Sequence, residues 1–253
     1  MYLSDIPENQ PYVFSEKKWP EFTQNKWTLD VMVGMYDDPV NQAQKPFVVD
    51  FANGGHHAIC GAVVSGKSTL LQTLIYALIN KYTPQQLNIY GIGFSSKMLS
   101  AFENAPHVGG IMYENTLDRI DKFFNMIFKI LDERKKIFKG GSYSQYVRSH
   151  GFTIPSIVIA IDNYANFREK TNDKYGDRLI QLAKNGEGNG IYLVVTGGGF
   201  GMAEIPNRFA DNFRSVVSLD MGDKFKFADV LRTMQFDTLP ENVRGRGLAS
   251  VEG

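Results

Sequence analysis

The residues with the plainest chemical meaning are Gly61-Ala62-Val63-Val64-Ser65-Gly66-Lys67-Ser68, a complete G-x-x-x-x-G-K-[ST] pattern. Its two glycines let the backbone wrap so that successive N–H groups turn inward, toward phosphate oxygens. The helix expected to follow adds the positive end of its dipole. In such a loop Lys67 reaches the β- and γ-phosphates and Ser68 ligates magnesium, while Ala62, Val63, Val64, Ser65 and Thr69 complete the cradle. The expected ligands are ATP and Mg2+.

This chemistry needs an acid at the end of a neighbouring strand. The run SIVIAIDNY offers Asp162, whose carboxylate would hold the magnesium hydration shell beside Ser68. The next residue is Asn163, where many ATPases of this arrangement place a Glu that polarises the attacking water. An amide can orient water but cannot take its proton, so general-base catalysis is expected to be badly impaired. The strand GIYLVVTGGG ends at Thr196, which could sense a γ-phosphate weakly. Gly197-Gly198-Gly199 bring no side chain and read as a flexible loop in preference to a second anion nest.

Other reactive residues point to packing. His56 and His57 hold consecutive strand positions, face opposite ways and cannot chelate one metal together. Cys60, the single cysteine, reads as a small buried core residue. It leaves no disulfide framework and no Cys-rich zinc site, and suggests a reducing compartment.

The elements that must position these residues follow from periodicity. Residues 28–38 and 45–52 read as two strands joined by a polar loop, the second an edge strand. HHAIC (56–60) is a strand, LLQTLIYALIN (70–80) a helix and LNIYGIGF (87–94) a strand. After a Pro-His-Val-Gly-Gly turn comes the longest periodic segment, with Ile120, Phe123, Phe124, Ile127, Leu131 and Phe138 on one core-facing stripe. Asn115 or Thr116 can cap its start, and Gly140-Gly141 end it. SIVIAID (156–162) has the continuous apolar pattern of a parallel strand covered on both faces. A helix over 177–186, a strand over 190–199, strands FRSVVSLD and GLASV, and a helix near 223–233 complete the series. Strands alternating with helices predict an α/β class with a mainly parallel sheet. The loop–helix order narrows this to a RecA-like P-loop NTPase, a three-layer sandwich in which Gly61–Ser68 and Asp162 meet at the carboxyl ends of adjacent strands.

Composition sets the outer bounds. The chain has 253 residues, 27 basic and 27 acidic, so its formal net charge is zero and a dedicated DNA binder is disfavoured. Its 43% hydrophobic and 21% charged residues are globular values. No run approaches the ~20 apolar residues of a membrane span, and the N-terminus lacks a signal-peptide pattern, so the polypeptide is expected to be soluble. Residues 1–25, with Pro7, Pro11 and Pro20, read as a lead-in or linker, and 26–253 as the ATPase domain.

The order of these pieces resembles the FtsK/SpoIIIE family of P-loop motor ATPases and, within it, one ATPase module of the EssC/EccC proteins of type VII secretion systems. The likeness is carried by GHHAICGAVVSGKSTLLQTLI, YTPQQLNIYGIGF, the APHVGG turn, LDERKKIF, IVIAIDNYANF, GNGIYLVVTGGG and NVRGRGLA, together spanning roughly 25–253. The resemblance implies a cytosolic module, the third, of a membrane-anchored export ATPase at the cytoplasmic face of the bacterial cell membrane. It implies as partners the other ATPase modules, WXG100-type (Esx) substrates and a hexameric assembly, with the membrane reached only through the parent protein. Three departures bear on activity: the acid usual after the second core strand is replaced around Gly93, Asn163 follows Asp162, and the Arg-bearing turn becomes Gly197-Gly198-Gly199. They favour a degenerate nucleotide-binding module, acting in regulation or substrate recognition, over an active motor or a DNA translocase. Met98–Phe102 and Phe124–Phe128 are candidates for the wall of a groove receiving a helical export signal, though such residues more often form core. Arg208, Arg214, Arg244 and Arg246 are the candidate arginines near the site.

Overall fold

The computed structural model describes residues 27–38, 41–94, 97–236, 239–240 and 243–250. The expected lead-in over 1–25 lies outside them. In chain order the elements are β1 (Asp30–Asp38), β2 (Ala43–Asp50), α1 (Phe51–Gly54), β3 (His56–Cys60), α2 (Lys67–Lys81), β4 (Leu87–Gly93), a 3-10 turn at Lys97–Phe102, β5 (Val108–Tyr113), α3 (Leu117–Phe138), α4 (Tyr143–His150), β6 (Ser156–Asp162), α5 (Tyr164–Lys170), α6 (Gly176–Gly186), β7 (Ile191–Gly197), α7 (Asn207–Ala210), β8 (Phe213–Leu219), α8 (Lys224–Leu231) and β9 (Gly247–Ser250).

Seven strands form one sheet in the order β5-β4-β6-β7-β3-β8-β9. All neighbours are parallel except β9, which runs antiparallel to β8. β1 and β2 pair separately as an antiparallel hairpin.

The continuous apolar strands are explained by their two covered faces. In β6, Ile157, Ile159 and Ile161 join the core beneath α3, α5 and α6, while Val158 and Ala160 join the core under α2 and the hairpin. β7 divides the same way, with Ile191, Leu193 and Val195 on the first side and Tyr192 and Val194 on the second. A residue on either face therefore meets a helix layer, and both must be apolar. The α3 stripe is core along its whole length: Ile120, Phe123, Phe124, Ile127, Leu131 and Phe138 are all buried.

Three local readings change. The segment taken as a turn after Pro106 is strand β5, whose edge position tolerates its glycines. Gly109 is required there, since a Cβ would stand 2.4 Å from the Tyr90 ring. At the start of α3, Thr116 stands at the N-cap as expected, but its side chain makes no capping bond into the helix. Its hydroxyl accepts from the Tyr113 amide and donates to the Tyr113 carbonyl, both at 2.9 Å. At the other end the chain reverses one residue before the glycine pair, at Lys139 with φ +51°. Of the candidate groove walls, Leu99, Phe124 and Ile127 are buried core residues, while Ser100, Ala101, Asn125 and Met126 are exposed.

His56 and His57 face opposite layers, as alternation requires. His56 donates from Nε2 to the Ala183 carbonyl at 2.8 Å and accepts the Leu193 amide at Nδ1 at 3.0 Å, a pattern that only the neutral ring satisfies. His57 donates to the Asp50 carbonyl at 3.3 Å on the hairpin side. Burial pushes both imidazoles down to about 4. Arg134, 3% exposed, donates to the carbonyls of Asn189, Gly190 and Pro155 at 2.7, 3.1 and 2.6 Å, and so ties α3 to the amino ends of β6 and β7.

Candidate nucleotide site

The loop Gly61–Gly66 joins the carboxyl end of β3 to α2, and its shape follows from a few contacts. The Gly61 amide donates to the Gly197 carbonyl at 3.2 Å and the Ala62 amide to the Asp220 carbonyl at 2.7 Å, so the ends of β7 and β8 clamp the loop's start. A Cβ on Gly61 would stand 2.5 Å from Ser65 Oγ, which is why glycine is needed there. Gly66 takes φ +110° and stands at the N-cap of α2. Leu70 is the first residue of α2 whose amide closes a helical bond, to the Gly66 carbonyl. The amides ahead of it open on the loop's concave side, the arrangement that holds anions.

Val63 and Val64 form the loop's crest, 90% and 77% exposed, and Val64 sits at φ +69°. A β-branched residue in that region is strained by about 1–3 kcal/mol. Ser65 is buried, and its hydroxyl has no hydrogen-bond partner among the described residues. Lys67 turns its amine back onto the carbonyls of Gly61 and Ala62, at 2.8 and 2.7 Å. Half-burial pulls that ammonium below the ordinary lysine range, and the nearby carboxylates of Glu204 and Asp162 pull it back up. An idle buried hydroxyl, unpaired first-turn amides and a lysine parked on its own loop all fit an arriving polyphosphate.

Ser68 and Asp162 come together as expected: the hydroxyl donates to Asp162 Oδ1 at 2.9 Å, with Oδ2 at 3.1 Å. Their strands are not adjacent, however. β7 lies between β3 and β6, because α2 crosses the sheet and brings Ser68 over that strand. The same insertion places Thr196, at the end of β7, within 2.8 Å of Asp162 Oδ1, to which it donates. Thr196 Oγ1 in turn accepts the Asn163 amide at 2.8 Å. Hydroxyl and carboxylate oxygens are the donors that a hard divalent cation such as magnesium takes. No cluster of three His, Cys, Asp or Glu residues able to hold a metal exists among the described residues.

Asn163 is committed elsewhere. It stands at φ +63° as the N-cap of α5, and its side-chain oxygen accepts the Asn166 amide at 3.2 Å. Cys60 is buried, and burial first, then the Glu204 charge, pushes its thiol up to about 12. It is an inert packing group, as expected.

One residue beside the site, Glu204, was not legible in the sequence. The triple glycine does not lead into an open loop. The chain closes a hydrogen-bonded turn, Gly201 N to Ile205 O at 2.9 Å and Ile205 N to Gly199 O at 3.2 Å, and the Gly198 amide donates to the Glu204 carboxylate at 2.8 Å. Nothing in the run Ala203-Glu204-Ile205-Pro206 marks that acid in advance. Of the four arginines, Arg208 and Arg214 pair with Asp177 and Glu187 on the outer surface. Arg244 instead lies over the loop: Gly245 N donates to Ser65 O at 3.1 Å and Arg244 Nη2 to Thr69 Oγ1 at 3.0 Å.

The family model described as the FtsK/SpoIIIE family matches residues 19–147. Among curated proteins the chain is similar to the ESX secretion system protein EccC of Thermomonospora curvata, 29% identical over 241 residues, which is 90% of this chain but 18% of that protein's length. Among solved structures it is similar to EssC (ATPases 2 and 3) of Geobacillus thermodenitrificans, with a TM-score of 0.80 at 21% identity over 92% of this chain and 44% of that one. It is also similar to EccC (ATPases 2 and 3) of T. curvata in complex with a signal sequence peptide, with a TM-score of 0.77 at 27% identity over 94% of this chain and 42% of that one. These likenesses agree with the RecA-like P-loop fold.

Proposed function

The chain belongs to the FtsK/SpoIIIE family, and from that premise we propose that it is one nucleotide-binding module, the third, of a type VII secretion ATPase of the EssC/EccC kind. In this reading residues 26–253 form the module and sit at the cytoplasmic face of the bacterial membrane, through an anchor elsewhere in the parent protein. ATP with Mg2+ occupies the loop Gly61–Ser68 and Thr69, with Ser68 and Asp162 holding the ion. The observation that carries it is the meeting of Ser68, Asp162 and Thr196 at the mouth of a loop that holds Lys67 on its own carbonyls and leaves the Ser65 hydroxyl without a partner among the described residues.

Bound nucleotide acts here as a regulatory ligand that is turned over slowly. The residue after Asp162 is an amide already bonded to the backbone of α5, and it offers no base to an attacking water. The other ATPase modules of the parent, a hexameric assembly and WXG100-type (Esx) substrates are its partners. The peptide-bound T. curvata relative supports substrate recognition by this class of module. DNA is not a partner, which the zero net charge supports.

Calorimetric titration of the 253-residue chain with MgATP and MgADP tests the nucleotide reading. Binding that Lys67→Ala weakens at least tenfold is expected. No heat at millimolar nucleotide, or equal binding by the Ala variant, rejects the reading. Fast turnover abolished by Lys67→Ala would make the module an active motor.

A further inference from the structure

We propose that Glu204 is a built-in discriminator against the terminal phosphate of a nucleoside triphosphate, a carboxylate the chain holds at the rim of its own anion site. The inference rests on the nucleotide reading of the loop and goes beyond it, because it names a residue that sets which nucleotide the module prefers.

Topology places the acid. β7 separates the strand that feeds the loop from the strand that ends in Asp162, and its carboxyl end touches both, through Thr196 on Asp162 and Gly197 on Gly61, whose carbonyl holds Lys67. Gly197, at that end, is bonded to Gly61, and the next amide, Gly198 N, points at Glu204 Oε2, 2.8 Å away. An amide positioned to meet an anion beside the loop is thus already taken by an internal one. The Glu204 carboxylate, like that of Asp162, favours the charged form of Lys67.

The surroundings are shaped for this contact. A Cβ on Gly198 would stand 2.5 Å from Glu204 Oε1 and one on Gly197 2.9 Å from the Ile205 side chain, so the glycines admit the acid and its neighbour. Ile205 is fully buried and hydrogen-bonded through both its amide and its carbonyl, which fixes the backbone that carries Glu204. The missing side chains of the glycine turn are therefore the space that a carboxylate fills.

A fixed negative charge beside Lys67 opposes the added charge of a γ-phosphate more than it opposes a diphosphate. For unit charges a few ångströms apart at a partly solvated site, discounted for screening, the difference is on the order of tenfold in affinity. Calorimetry of the 253-residue chain with MgATP and MgADP, beside Glu204→Gln, reads it directly. Gln keeps an oxygen for the Gly198 amide and removes only the charge. The expected result is MgATP affinity raised about tenfold and MgADP affinity within about twofold of the unsubstituted chain, with the gap narrowing in high salt. Gly198→Ala, which pushes the carboxylate off its amide, shifts the ATP-to-ADP ratio the same way by a smaller factor, and decides the matter if the Gln variant does not fold. An unchanged ratio in the folded variants, with binding still dependent on Lys67, overturns the inference and leaves the nucleotide reading standing. Absence of binding to every variant overturns both.

Discussion

Ser68 and Asp162, 94 positions apart in sequence, share a hydrogen bond of 2.9 Å at the mouth of the loop. Asp162 is 1% exposed, and its carboxylate also receives Thr196, so two hydroxyls hold a buried carboxyl group. A divalent ion arriving with nucleotide would relieve that arrangement. The expected outcome is nucleotide binding that strengthens about tenfold or more when Mg2+ is added to chelated protein. In Ser68→Ala or Asp162→Asn that gain falls to about twofold, while the metal-free affinity hardly moves. Paired titrations in Mg2+ and in EDTA check it, and a metal response that survives both substitutions would remove Ser68 and Asp162 from the metal's ligands.

Asn163 cannot simply be exchanged for a catalytic acid. It stands at φ +63°, a conformation that asparagine tolerates and most residues do not, and its side chain caps α5. Asn163→Glu is expected to lose about 1–2 kcal/mol of stability from the cap and the backbone together. The chain as it stands should hydrolyse ATP near background, since a lost general base costs ~10²–10⁴-fold in rate. A steady-state phosphate-release assay, beside denaturant melts of the variant, measures both effects. Vigorous turnover by the unsubstituted chain would show that another group supplies the base.

Much of the fold was legible because its strands are covered on two faces and its helices on one. SIVIAID and IYLVVT announce themselves by continuous apolar runs rich in Ile and Val, and the α3 stripe by its spacing. β5 was not legible, because an edge strand needs little apolar surface and Val108-Gly109-Gly110 carries turn residues, of which Gly109 is kept small by the Tyr90 ring. The meeting of Ser68 with Asp162 was foreseeable from the loop pattern, but the strand between them was not, since strand order depends on crossovers that the sequence does not spell out. Glu204 reaches the site from a segment with no motif, brought there by the turn after β7, whereas Arg244, one of four candidate arginines, is singled out only by the chain before β9.

Arg134 offers a stability test separate from the site. It is a buried cation without a carboxylate, held by carbonyls at the amino ends of β6 and β7, opposite the loop. Burial lowers its pKa to about 10, which still leaves it charged at neutral pH. Arg134→Met leaves the Asn189 and Pro155 carbonyls without that donor and should cost about 3 kcal/mol. Arg134→Lys keeps the charge but not the planar fork, and should recover only part of the loss. Urea denaturation gives the differences, and the affinity of either folded variant for nucleotide should stay within about twofold. A Met variant as stable as the parent would show that the carbonyls find other donors.

The buried imidazoles set an acid limit on the fold. His56 and His57 drop from an ordinary 6.5 to about 4 because burial penalises the charged rings, so between those values the unfolded chain binds more protons than the folded one. Stability therefore rises with pH through this window. The contribution is complete above about pH 6.5 and is lost as the pH falls toward 4. Each independent imidazole gives a slope of ~1.4 kcal/mol per pH unit, and neighbours that repel each other's protons share it. Asp38, held down at about 2 by hydrogen bonds from Lys45 and Asn41, acts only below its ordinary 3.8 and leaves the window clear. His107 is buried and lowered in the same direction, so His56→Gln removes one of three such groups and should cut the slope by about a third. Urea midpoints from pH 7 to 4.5 provide the measurement, and an equal slope in the Gln variant would mean that His56 is not a source of the acid sensitivity.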